Sequence, residues 1–135
     1  MSVLQLAIVR QTEIPNRDSW QAAIDRAGFA LVLDADFDPL KSSGYTFVRL
    51  DGVDAAFEYD LARIEDVEFD VDVPQLDGRE HVLALATRGD MRACAAATCA
   101  AAALVDSVGG IFFDGEKFVD AIEAMRQARA NLKEI

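Results

Sequence analysis

The sequence predicts an α+β domain: a mixed, mostly antiparallel sheet with about three helices packed against it. Three observations lead there. Short β-branched runs recur along the chain, an Asp-Gly pair separates two of them, and a nearly unbroken alanine run ends in Gly-Gly. With 135 residues, 52% of them hydrophobic, the chain reads as one domain over residues 1–135. A domain of this size buries about two-thirds of its unfolded surface, so its core needs no staples.

The elements follow in order. Val3 to Val9 is short, β-branched and bounded by polar residues, which predicts a buried strand. Asn16 or Asp18 then caps a helix with Trp20, Ala23, Ile24 and Ala27 on its apolar positions, and Gly28 stands where the helix should stop. Phe29 to Leu33 reads as a second strand, followed by the polar turn from Asp34 to Pro39. Tyr45 to Leu50 and Val53 to Asp60 form a hairpin around Asp51-Gly52. His81 to Thr87 is a strand, and Asp90 caps an alanine helix from Met91 to Val108. Gly109-Gly110 ends that helix, and Ile111 to Phe113 is a short strand. In the last helix Phe118, Ile122, Met125, Arg129 and Leu132 make one apolar stripe, with the arginine stem along its edge.

The charge is unevenly placed. The chain has 24 acidic and 13 basic side chains, a net of −11. Residues 51–80 alone hold eleven acids against Arg63 and Arg79, a net of −9. Solubility alone would scatter such an excess. Asp66 to Val73 alternates strictly between acids and apolar residues, which predicts a strand closed by Pro74. Its inner face would carry Val67, Phe69, Val71 and Val73, and its outer face a ladder of Asp66, Glu68, Asp70 and Asp72. Same-face neighbours would sit about 6.5–7 Å apart. That repulsion is small in water, and a basic surface that excluded solvent would turn it into attraction. Tyr45, Phe57 and Tyr59 are candidates to line a sheet face beside the acids, as aromatic anchors within a charged rim.

Other chemistries are poorly supplied. An acidic chain repels phosphate backbones and anionic membranes, so neither nucleic acid nor membrane is an expected partner. A calcium loop counted from Asp66 needs glycine where Val71 stands, and a strand spaces carboxylates too widely for one ion. His81 is the only histidine. Its conceivable catalytic partners are Asp34, Asp36 and Asp38, whose turn position is equally explained by capping. There is no GxSxG elbow, phosphate loop, dinucleotide fingerprint or HExxH motif. Gly109-Gly110 follows a helix rather than preceding one, so it is no phosphate cradle. Cys94 and Cys99 lie about 140° apart on one helix and cannot bridge within it. No catalytic residue, metal ligand or cofactor is therefore expected. Val3 to Val9 lacks a basic segment before it, so no leader is expected and a cytoplasmic location is the default.

The segment from His81 to Ala130, a strand, an alanine-rich helix, then Gly-Gly-Ile-Phe-Phe-Asp-Gly and an amphipathic helix, resembles small bacterial immunity proteins. Gly44-Tyr45-Thr46-Phe47 and Ala56-Phe57-Glu58 fit the same resemblance. It implies a non-enzymatic role: binding a cognate toxin of interbacterial competition and blocking its active site or substrate entry. On that reading Glu58, Tyr59, Asp60, Glu65, Asp66, Glu68, Asp70 and Asp72 contact lysines and arginines of the toxin domain. The alternative is a small α+β ligand-binding or regulatory domain without catalysis.

Overall fold

The α+β expectation holds. The computed structural model describes residues 2–135. Its strands are β1 (Ser2–Val9), β2 (Leu31–Leu33), β3 (Gly44–Leu50), β4 (Val53–Arg63), β5 (His81–Arg88), β6 (Ile111–Phe113) and β7 (Phe118–Val119). Its helices are α1 (Arg17–Arg26), α2 (Met91–Val108) and α3 (Ala121–Lys133). The seven strands form one sheet in the order β2-β3-β4-β5-β1-β6-β7. Every pairing is antiparallel.

Local chemistry explains most boundaries. Asn16 caps α1 by accepting from the Ser19 amide at 2.7 Å, and Gly28 follows at φ 84°. Asp90 accepts from the Arg92 and Ala93 amides at the start of α2. In the β3–β4 hairpin both Asp51 and Gly52 have positive φ, the mirror-image turn that matches strand twist. Gly110 is required for space, since a Cβ there would lie 2.8 Å from the Ile8 carbonyl oxygen.

All three helices cover one face. α2 lies against β1, β4 and β5, with α1 and α3 at its sides. Facing it are Ala7 and Val9 of β1, Leu83 and Leu85 of β5, Phe57 and Tyr59 of β4, and Val48 and Leu50 of β3. The alanine surface of α2 lets these elements approach closely, and every residue from Ala95 to Val105 is buried. This helix has the length and apolarity of a membrane-crossing segment, but 67% of that stretch lies inside the fold. Trp20, Phe37 and Tyr59 form an aromatic cluster at one end, with the Trp20 indole donating to the Ala100 carbonyl at 2.9 Å. Two residues from Ala100 along α2, Thr98 ties three elements: its hydroxyl is 2.7 Å from the Gln5 side-chain amide oxygen and accepts from Asn131 at 2.9 Å. Cys94 and Cys99 are free, and burial pushes the Cys99 thiol up to about 12.

Two expectations about the apolar pattern are corrected. The last helix starts only after Asp120, so Phe118 belongs to β7 rather than to a helical stripe. Ile122 is 82% exposed and Arg129 is also outside, while Ala124, Met125 and Ala128 are buried. The alanine surface of α2 is met by small residues of α3, which permits a close helix pair that a row of large side chains would hold apart. The second strand is also shorter than Phe29 to Leu33, because Phe29 is still closing α1 through its amide to the Ile24 carbonyl.

The β2 edge is sealed by side chains. The Gln21 amide donates to the Leu31 carbonyl and accepts from the Leu33 amide, both at 2.8 Å. Its amide group thus does what a peptide group of a neighbouring strand would do. Arg17 takes the next carbonyl, Leu33, at 2.6 Å. An edge strand left bare would invite pairing with another chain. Replacing Gln21 by alanine should lower stability by about 1–2 kcal/mol through the two orphaned backbone groups. It should also make self-association steeper than in the parent protein. Sedimentation velocity over a concentration series checks this; identical profiles would show that the edge needs no seal.

Candidate binding face

The face of the sheet away from the helices is covered over only part of its width. Register places Leu4, Leu6 and Ile8 of β1, Val82, Ala84 and Ala86 of β5, Ala56, Glu58 and Asp60 of β4, and Tyr45, Phe47 and Arg49 of β3 on this side. Residues 64–80, between β4 and β5, form a strap across one half of it.

The strap is not the predicted strand. After one turn of 3-10 helix at Ile64–Asp66, the chain runs extended but unpaired. A strand here would need a free sheet edge, yet β4 and β5 pair with each other, β2 is sealed and β7 is only two residues long. The segment instead lies across the sheet. Val67, Phe69 and Leu76 pack on Leu6, Ile8, Val82 and Phe113, making a second small core. Phe69, Phe113 and Phe118 stack with ring centroids 4.9–5.2 Å apart. The alternation therefore holds as far as Phe69, whereas Val71 and Val73 are exposed. The strap is anchored where the Ile64 amide meets the Glu80 carbonyl at 2.9 Å and the Arg79 guanidinium meets the Gly109 carbonyl at 2.8 Å. It doubles back at Asp77-Gly78, both with positive φ.

The other half of the face is open. Tyr45 is 66% exposed, Phe47 65% and Val32 52%, and they adjoin a floor of Ala56, Ala84 and Ala86. Large apolar groups clustered like this on one surface mark a contact site more often than solvent-facing chance. Two of the expected aromatic anchors are elsewhere. Phe57 and Tyr59 are each 1% exposed and face the helices. Tyr59 is removed from any contact role: its hydroxyl donates to the Pro39 carbonyl at 2.6 Å. Burial, then the Asp60 and Asp38 carboxylates, raise its pKa well above the usual tyrosine value. Phe47, which takes its place, shares the parity of Tyr45.

The carboxylates divide into two sets. Asp54 pairs with Arg49 at 3.2 Å, Glu58 with Arg88 at 3.2 Å, and Asp77 with Arg79 at 3.9 Å. Glu65 and Glu80 share Arg63 at 2.9 and 3.0 Å, which holds that guanidinium above its ordinary value. Asp60, Asp66, Glu68, Asp70 and Asp72 are exposed and in no ion pair among the described residues. They lie on the open sheet face and the strap, all on the side away from the helices. The three helices with their capping residues carry six basic and seven acidic side chains, so the helix side is near neutral and the strap side is the more negative of the two.

The turn acids and His81 are not brought together. Asp34 extends β2 beyond the Leu33–Val48 pair, whereas His81 pairs with Arg63 and Val9 at the far end of β5, on the order of 25 Å away by strand spacing and rise. Asp34 and Asp38 cap their own turn, accepting from the Asp36 and Leu40 amides. Among the described residues, no three His, Cys, Asp or Glu side chains converge on a point that could hold a metal. No protein-family model matches the chain, and no curated protein matches it significantly.

Phe69 holds the strap to the sheet. Its replacement by alanine should cost about 2 kcal/mol, less than for a fully buried phenylalanine. It should also make residues 64–80 the first site of proteolytic nicking. Urea denaturation with limited proteolysis reads both, and unchanged values would mean that the anchors at the strap's ends suffice.

Proposed function

We propose that this chain is a non-enzymatic inhibitor of the immunity type, which binds and neutralises a cognate bacterial toxin domain through its open sheet face and strap. One observation carries the reading: an uncovered aromatic and alanine surface lies beside five unpaired carboxylates, on the side opposite the helix layer. A partner needs both parts. The apolar patch supplies contact area, and the carboxylates steer a basic domain toward it at well above the neutral association rate. Glu58, Asp60, Glu65, Asp66, Glu68, Asp70 and Asp72 remain the contact acids of this proposal, joined by Tyr45 and Phe47. Unpaired acids cost little in the free protein, because water's high dielectric holds neighbour repulsion to a few tenths of a kcal/mol and salt screens charges farther apart than about 8 Å. Once covered, each gains a partner in a drier medium.

The ligand-binding alternative draws on a concavity of about 500 Å³ lined by Gln5, Cys94, Asp114, Gln127 and Asn131. Most of its donors are already committed within the protein, although Lys117, also in the lining, is in no ion pair among the described residues. Asn131 donates to Thr98, and Gln127 to Asp114 and Glu123. A small metabolite retained in native mass spectrometry would favour this alternative.

The inhibitor reading is tested by co-expression in a susceptible bacterium with the small basic C-terminal domain of a secreted protein encoded beside this chain. Growth should be restored and a stable complex isolated. No such neighbour, or a toxic neighbour that this chain neither binds nor silences, would contradict it. In the complex, changing Asp66, Glu68, Asp70 and Asp72 together to their amides should slow association by about tenfold at low salt and flatten its salt dependence. An unaltered rate would remove the strap acids from recognition.

A further inference from the structure

Within the open face one row of residues has the shape and charge of a single-residue receptor. Tyr45 of β3 pairs with Glu58 of β4, Glu58 with Ala86 of β5, and Ala86 with Leu4 of β1. Asp60 and Ala84 stand one step along the same strands. Leu4, Gly44, Glu58, Asp60, Ala84 and Ala86 line a depression of about 310 Å³ at the row, and Tyr45 stands outside it, next in sequence to Gly44. Its floor is methyl groups, its wall is Leu4, and two carboxylates about 6.5–7 Å apart form its rim. Beside Glu58 the Tyr45 ring is exposed.

We infer that this row is a subsite for one arginine side chain of the partner protein. The inference rests on the inhibitor reading for its biological occupant, but the subsite can be tested without it. Arginine's methylenes fit the alanine floor against Leu4. Its guanidinium spans the space between Glu58 and Asp60 and stacks on Tyr45. Lysine has neither the plane to stack nor the fork to meet two acids. The molecule already performs half of this recognition, because Arg88 lies 3.2 Å from Glu58 while remaining 73% exposed. Asp60, in no ion pair among the described residues, is the free half. An incoming arginine engages Asp60 and displaces or joins Arg88 at Glu58.

The probe is N-acetyl-arginine amide, titrated into protein labelled at its alanine methyls and backbone amides. The shifts should be saturable and centred on Ala84, Ala86 and Tyr45. The neutral isostere N-acetyl-citrulline amide should leave those signals in place. Asp60→Asn and Tyr45→Ala should each weaken binding at least about fivefold, and Asp70→Asn should change it less than about twofold. Ala86→Leu fills the depression with both acids retained, and should abolish the effect. Equal response to citrulline, equal sensitivity to Asp70→Asn, or full binding by Ala86→Leu would each overturn the subsite in favour of a diffuse acidic surface. Toxin neutralisation that survives Ala86→Leu would overturn the arginine site alone. A working subsite in a protein that neutralises nothing would overturn the inhibitor reading alone.

Discussion

A sheet has two faces, and this chain has helices for only one. Seven antiparallel strands present apolar residues on both sides, while α1, α2 and α3 occupy the same side. The other side must be shielded by what remains, which is the connection between β4 and β5. That connection covers Leu6, Ile8, Val82 and Phe113 with Val67, Phe69 and Leu76. It does not reach Tyr45, Phe47 and Val32. The open patch is therefore a consequence of topology, and the acids collect beside it because the strap's outward positions and the outward residues of β4 share one side of the molecule.

That arrangement separates the stabilising core from the face proposed for recognition. Stability resides in the helix-facing core, where alanine-rich α2 lets the Trp20–Phe37–Tyr59 cluster and α3 close around it. The residues proposed for recognition stand on the far side of the same strands, so substitutions at Glu58 or Asp60 leave Phe57 and Tyr59 packed. The strands act as a rigid plate between the two, which favours association with little loss of flexibility at the contact. The ion pairs of Arg49 and Arg88 on the face and of Arg63 at the base of the strap are exposed and individually weak, so they restrain the acids without cancelling the field.

Much of the fold was legible in the sequence because its punctuation is local. Asp90 and Gly109 bound α2 where the residues suggest, and Asp51-Gly52 makes the hairpin. The strap's strict alternation predicts a strand, yet it describes any extended chain with one face against a surface, whether or not it has a hydrogen-bonded neighbour. Asp77-Gly78, the same turn signal as the hairpin's, marks where the segment folds back. Glu58 and Asp60 mark one parity of β4, so residues 57 and 59 must point the other way. By the same rule Phe47, two residues beyond Tyr45 on β3, shares its face, and only the tertiary arrangement shows that this side stays uncovered. In α3 the spacing of three and four fits two stripes, and only the alanine surface of α2 selects the smaller one.

The most direct measurement is a hydrogen-exchange map of the protein free and in complex with the toxin domain proposed as its partner. The account predicts slowed exchange in β3 and β4 between residues 44 and 60 and along the strap from 66 to 73, with α1 and α3 unchanged. Protection confined to the helices, with the open face and strap exchanging as in the free protein, would contradict it.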